Sequence, residues 1–381
     1  MIYADYNSTS LLDEEVKTYL TKRINEGIFS NPSSLHALGR HQKYIIENCR
    51  KVCAKSLGAS PNQVIFTSGA TESIAMIFNQ FSQEKKEIIS SEIEHNAVLE
   101  NLKLLKKQGC NISYFDTHEN GVVDLRKLKT QKIIDLACLM AVNNETGVIQ
   151  SYLEFAKTCH SLNILSFVDL TQLIGKQKFV FESSNIDFAC LSGHKLGALP
   201  GIGILLIKNP LELNSLIRGG KQEHGLRAGT ENYIGIESLA IVMNNLDSLM
   251  KKYSNLENVT IEFEKKLKEK IPNIKIFGDE SERVSGTTLF SIPGLMSQAI
   301  QIELESNGIF VSTSAACSDN EPETSHVLRA MNIDDKYGRG VIRLSLPPDE
   351  NEYNQILEKI VSIYLKLSKI GNFFDNREIK L

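Results

Sequence analysis

The run Ser192-Gly193-His194-Lys195 follows the apolar stretch Phe188 to Leu191, and Lys195 lies 26 residues after Asp169, which ends another such stretch, Phe167-Val168-Asp169. Both pieces close strand-like runs, so an amine, an imidazole, a hydroxyl, a carboxylate and the amide of Gln172 can converge where neighbouring strands end. That set suits one chemistry. A lysine amine can hold the aldehyde of pyridoxal phosphate (PLP) as a Schiff base, while a carboxylate keeps the pyridine nitrogen protonated so that the ring accepts electrons. Ser192 and His194, flanking such a lysine, are placed to hydrogen-bond the phosphate. Taken alone, the four residues also read as an ordinary turn.

Further segments place chemically useful side chains at similar points. Thr67 to Glu72 joins the apolar run Val64 to Thr67 to a helix-like stretch. Small residues there leave main-chain N–H groups for an anion, with the Thr71 hydroxyl beside them, or simply cap a helix. His95 opens a helix after Glu87 to Ser90, where its ring can stack on a pyridine and move protons, or only cap the helix. Asn144 lies in the turn Val142 to Gly147. Cys317 is the one thiol in the small, polar run Val311 to Asn320, which reads equally as a loop presenting a nucleophile and as an incidental cysteine. Arg343 interrupts the apolar run Ile342 to Leu344 and needs an anionic partner, for which a substrate carboxylate and a structural salt bridge both qualify.

The elements that must position these groups alternate. Short apolar runs (Val64 to Thr67, Glu87 to Ser90, Ile133 to Val142, Ile164 to Val168, Phe188 to Leu191, Gly203 to Ile207) alternate with helical stretches near Ile74 to Phe81, His95 to Lys107 and Leu153 to Leu162. This predicts an α/β fold on a mostly parallel sheet. Near Met250 to Asn255 a long charged helical stretch opens a second unit. Strands are expected there at Thr287 to Ile292, Ile309 to Val311 and Val341 to Leu344. Helices are expected at Ser297 to Glu305, Glu323 to Ala330 and Glu350 to Lys369, before a polar tail at 376–381.

At 381 residues, with 42% hydrophobic and 23% charged residues, the chain has room for two units with real cores. A net charge of −4 provides no basic footprint, so direct binding of nucleic acid or an anionic membrane is not expected. The N-terminus lacks a basic segment followed by an apolar one, and no run reaches membrane-spanning length. Seven scattered cysteines without a C-x-x-C pair argue for a reducing cytoplasm and against a disulfide framework or a metal site. Cys49 and Cys53, one helical turn apart, are expected to pack a helix.

Taken together these residues resemble the cysteine desulfurases of group I (NifS/IscS type), PLP enzymes in the class V aminotransferase group. The likeness runs over nearly the whole chain and includes Asp5 to Thr9, Ser30 to Ser34, Gly225 to Asn232 and Ser325 to Arg329 besides the segments above. It implies fold type I of the PLP-dependent transferases, with a large domain at 13–253 and a smaller α+β domain at 1–12 and 254–381. It implies that Lys195 forms the Schiff base, Asp169 pairs with the ring nitrogen, Gln172 bonds the phenolic oxygen and His95 stacks on the ring. Ala70, Thr71, Ser192 and His194 would hold the phosphate, joined by Thr230 from the second subunit of a homodimer. Asn144 and Arg343 would grip the carboxylate of L-cysteine, and Cys317 would accept its sulfur and pass it to an acceptor protein for iron-sulfur clusters or tRNA thiolation. The family loop reads Ser-Gly-Ser-Ala-Cys-Thr-Ser; here Ser314 replaces the glycine, and Ser318 and Asp319 follow the cysteine. A related PLP lyase or aminotransferase, such as one acting on selenocysteine, and a non-catalytic sulfur-relay partner are the alternatives.

Overall fold

The computed structural model describes residues 1–82, 85–130, 133–210, 213–313, 317–318, 321–346 and 352–375, with main chain only at 317–318, 321–322 and 369–375. An eight-stranded sheet runs in the order Val64–Thr67, Gly203–Ile207, Phe188–Ser192, Leu165–Asp169, Leu136–Met140, Glu87–Ser91, Asn111–Thr117 and Val123–Asp124. Six of these strands point one way, while Gly203–Ile207 and Val123–Asp124 run against them. Central strands such as Leu136–Met140 and Gly203–Ile207 are apolar without alternation because both faces are covered. Ala137 and Leu139 join the core on one face, and Leu136 and Cys138 the core on the other. Successive side chains on a strand point to opposite sides, so one short run serves two layers.

The covering helices carry their own start and stop signals. Asn96–Lys107 is capped by His95, buries Val98, Leu102 and Leu105 at helical spacing, and ends in Lys106 and Lys107, whose charges suit a helix C-terminus. The helices Glu14–Glu26 and Ala37–Leu57 end at Gly27 and Gly58, both in the left-handed conformation that glycine adopts most easily. Neither helix is anticipated by the strand–helix alternation of the sequence, and Tyr233–Asn244, which packs on Ala37–Leu57, is likewise unforeseen.

A second sheet, antiparallel throughout, orders Lys275–Ile276, Thr287–Ser291, Val341–Ser345 and Ser312–Thr313. Its core gathers Ile2 and Ala4 with residues from Tyr253 to Ile363. The single strand expected at Ile309 to Val311 is two: Ile309–Phe310 pairs in parallel with Ile2–Tyr3, and Ser312–Thr313 pairs with Val341–Ser345. The chain switches sheets between them, which an unbroken apolar run does not reveal. The helix Leu246–Lys270 crosses the expected domain boundary without a break. The last helix, Glu352–Asp375, extends six residues past its expected end at Lys369; the tail at 376–381 lies outside the described residues. No described helix is long and apolar enough to cross a membrane.

Candidate active site

At the carboxyl ends of the parallel strands lies a cavity of about 330 Å³, within the roughly 300–1,000 Å³ typical of small-molecule sites. Ten of the twelve expected site residues line it: Ala70, Thr71, His95, Asn144 and Asp169 on one stretch of chain, then Gln172, Ser192, His194, Lys195 and Arg343. Asn7 and Ser8 complete one wall.

Lys195 sits in the tight turn Gly193–Lys195 directly after the strand Phe188–Ser192. Its amine donates to the carbonyl of Asn7 at 2.7 Å and to that of Ser8. Burial and then the Arg343 charge bring its pKa down to about 8, against the pull of Asp5 and Asp169. A usable share of free amine near neutral pH is what a carbonyl-capturing lysine requires. Asp169 ends its strand buried at 6% exposure. Its Oδ1 accepts from the main-chain N–H of Thr171 at 2.9 Å, and the carboxylate also accepts from the Cys190 thiol, which burial and Asp169 push well above its ordinary value.

His95 keeps solvent access at the rim of the cavity. Its Nδ1 accepts from the N–H of Ala97 at 3.0 Å, so a neutral ring carries its proton on Nε2. Partial burial lowers its pKa; Asp169 opposes the shift, and Lys195 and His326 add to it. His194 is brought down to about 4 by burial and by Lys195, and its Nδ1 lies 2.9 Å from the Thr9 hydroxyl. The neutral form presents a hydrogen-bonding imidazole on the same side as Ser192. The Ser192 hydroxyl accepts from the N–H of Ala70 at 2.8 Å, which ties the strand end to the start of the helix Ala70–Phe78. Glycine is needed at that junction: Gly69 has φ 153°, and a Cβ on Gly203 would stand 2.6 Å from the Gly69 Cα.

Arg343 reaches the cavity from the Val341–Ser345 strand and is 7% exposed. Its Nη2 pairs with Asp5 at 2.7 Å and with the Ser8 hydroxyl at 2.7 Å, and its Nη1 donates to the carbonyl of Asn144 at 3.2 Å. The salt bridge considered from the sequence is thus present, yet among the described residues the buried Nε has no partner. That orphan donor faces a cost unless a ligand meets it.

Two expected residues stand elsewhere. Thr230 is exposed and outside this cavity. Its loop is tied down by the buried pair of Arg50 with Glu223 at 2.7 Å and by the N–H of Phe66 on Glu223 at 2.7 Å. The main chain of Cys317–Ser318 pairs with Glu321–Pro322, but the Cys317 side chain lies outside the described part.

Several participants escape a reading of motifs. Glu94 is fully buried, and desolvation raises its carboxyl to about 8 although Ser91 and Met140 both donate to its Oε1 at 2.8 Å. Its main-chain oxygen takes a 2.9 Å hydrogen bond with Nε2 of His326. Asn7 and Lys176 are likewise unforeseen as site residues; a lysine seven residues after Asp169 is the only hint of the latter.

The donor set fits PLP. A buried carboxylate, an amine of lowered pKa, a flat imidazole and a helix start beside a serine and a histidine share one cavity at the strand ends. Fold and site together define a PLP-dependent enzyme of fold type I. The comparisons agree. The Aminotransferase class-V family model matches residues 2–355. A relative in Clostridium botulinum named "Cysteine desulfurase IscS" is 32% identical, covering 100% of this chain and 99% of its own. A solved "NIFS-LIKE PROTEIN" superposes with a TM-score of 0.88 at 33% identity, covering 96% of this chain and 99% of its own. A structure described as "SspA in complex with cysteine" has a TM-score of 0.80 at 27% identity, over 91% of this chain and 99% of that one. The chain belongs to the class-V aminotransferase family, in its cysteine desulfurase branch.

Proposed function

We propose that this protein is a cysteine desulfurase, which removes sulfur from L-cysteine to leave L-alanine and a persulfide on Cys317. The carrying observation is the convergence of Lys195, Asp169, His95 and Arg343 on one cavity at the strand ends. Relatives named cysteine desulfurase and a similar structure holding cysteine support the choice of substrate.

Bound PLP supplies a conjugated, protonated ring that takes up electron density from the substrate carbon. Lys195 would hold the cofactor through its amine and would serve as the base for the substrate Cα proton. Asp169 holds the proton on the ring nitrogen. Gln172 would donate to the phenolic oxygen, His95 would stack on the ring and move protons through Nε2, and Ala70, Thr71, Ser192 and His194 would hold the phosphate. Arg343, through its unpartnered Nε, and Asn144 hold the substrate carboxylate. The Cys317 thiolate attacks the substrate sulfur: an S–S bond forms, the C–S bond breaks, and its electron pair passes to the carbon skeleton that leaves, protonated, as alanine.

A homodimer completes the phosphate site with the partner subunit's Thr230. Two observations support it: Thr230 stands outside its own chain's cavity, and Ile24, Ile28, Phe29, Leu35 and Leu38 expose apolar surface in one stretch of chain. The division into domains at 13–253 and at 1–12 with 254–381 is supported by the separate second core. Free, mostly buried cysteines support a cytoplasmic setting, where an acceptor protein for iron-sulfur clusters or tRNA thiolation takes the persulfide sulfur.

The test is L-alanine formation from L-cysteine by the PLP-loaded protein with a thiol reductant, beside Cys317→Ala. The wild type should form alanine, while C317A keeps its PLP colour and loses sulfur transfer. Alanine from neither, with the PLP band intact, would rule out cysteine as the substrate; full turnover by C317A would remove Cys317 from the mechanism.

A further inference from the structure

Lys176 does not line the cavity, yet its ammonium touches two residues that do. Nζ lies 2.9 Å from Oε1 of Gln172 and 2.9 Å from Oδ1 of Asn7, with the Tyr253 ring centroid at 5.6 Å. Gly175, at φ 80° between the side chains of Leu249 and Leu196, turns the chain just before it.

An amide side chain can be rotated to present either its oxygen or its NH₂, and the two choices differ little in shape. An ammonium offers three donors and no acceptor, so any amide beside it must turn its oxygen inward. Lys176 thereby settles two orientations at once. The Gln172 NH₂ points away and donates one N–H to the carbonyl of Asn7 at 2.9 Å, which leaves its second N–H for a ligand. The Asn7 NH₂ also points away, donating to the carbonyl of Asn144 at 3.2 Å and to the Thr287 hydroxyl at 3.1 Å. The Asn7 carbonyl, held in place by that network, is the one that receives Lys195.

We propose that Lys176 is a positioning residue, which favours the Gln172 orientation that presents a donor to the phenolic oxygen of PLP and holds Asn7 as the anchor of Lys195. This rests on the assignment of the cavity to PLP and of Gln172 to that oxygen. Its placement is costly. Burial, Lys195 and Arg343 together push the Lys176 pKa down to about 7, and among the described residues no carboxylate pairs with it. A buried cation that merely filled space would be replaced by an apolar chain at little loss. Without Lys176 only the Asn7 carbonyl still orients the Gln172 amide, so reversal, which sets its oxygen against the cofactor oxygen, is less strongly opposed.

The experiment compares wild type, Lys176→Met, Lys176→Arg, Gln172→Leu and the K176M/Q172L double variant. PLP affinity of the apoproteins, the pH midpoint of the visible PLP band and the apoprotein melting temperature are measured for each. K176M should weaken PLP about tenfold, the worth of one hydrogen bond to a charged group. It should also move the band's midpoint upward, because loss of a donor to the phenolic oxygen leaves the neighbouring lysine–PLP nitrogen more basic. K176R, also donor-only, should stay near wild type, and K176M should add nothing once Q172L is in place. Wild-type affinity and midpoint in K176M, an equal loss from K176M in the Q172L background, or a K176R as weak as K176M would each overturn the proposal. If K176M fails to fold, Q172L must weaken PLP while K176R does not. A wild type that binds no PLP would instead refute the cofactor assignment, and this inference with it.

Discussion

The two walls of the cavity are built differently. On the wall made by the eight-stranded sheet, His95 and Asp169 are held by the N–H two residues on, and Lys195 ends a tight turn, although its amine also reaches the carbonyls of Asn7 and Ser8. On the opposite wall Arg343 is held by Asp5, Ser8 and the carbonyl of Asn144, all remote in sequence. Parallel strands deliver their ends to one edge by topology, so the sheet itself sets the main-chain positions of the cofactor groups. The substrate-facing arginine depends on the N-terminal segment closing across two sheets, with Asp5 bridging to Ser345 and Ser345 in turn donating its N–H to Ala4. The cofactor wall is therefore expected to survive changes that disable the substrate wall.

The largest effect should come from Lys195→Ala, which leaves the sheet wall folded but without its amine. Covalent capture of PLP and all turnover should vanish, while melting of the apoprotein stays close to wild type; residual turnover would show that another amine captures the cofactor. Arg343→Leu strikes the other wall. Its loss should raise the KM for L-cysteine about ten- to hundredfold, the worth of a charge-assisted hydrogen-bonded contact, with PLP affinity unchanged when compared at a pH above the Lys195 pKa of both proteins. A matching fall in PLP affinity would show that the walls are not independent.

A smaller effect concerns pH. The Lys195 amine attacks only when neutral, and burial with Arg343 brings its pKa down to about 8. The rate of PLP capture by the apoprotein should therefore fall about tenfold per pH unit below that value and level off above it, rather than climbing toward the ~10.4 of a free lysine. In R343L the positive neighbour is gone, the amine holds its proton more tightly, and the plateau should begin at higher pH. A pH profile identical to wild type would remove Arg343 as a cause.

Much of this was legible from residue types and order. Runs such as Gly203 to Ile207 are apolar at every position, so a buried strand is the economical reading, and the chemistry-bearing residues fall at the ends of such runs. The switch of sheets between Ile309–Phe310 and Ser312–Thr313 was not legible, because each strand is only two residues long and the second is polar. Glu14–Glu26 was missed, and Ala37–Leu57 was read only at Cys49 and Cys53, for a different reason: their polar faces dilute the pattern, and their identity rests on caps such as Asp13 and Gly58.

Strand rhythm and the spacing of Asp169, Ser192, His194 and Lys195 offered the cofactor chemistry beside an ordinary turn, and the resemblance over nearly the whole chain chose between them. Which way the Gln172 and Asn7 amides face, that Glu94 is pushed toward its neutral acid form, that Lys195 approaches neutrality and that Arg343 already has an anionic partner were decided only by tertiary structure. Each depends on burial or on a charge brought close from a distant part of the chain, such as Asp5 beside Arg343 at 2.7 Å. Electrostatic free energy varies with distance and solvent access in space, and separation along the chain carries neither.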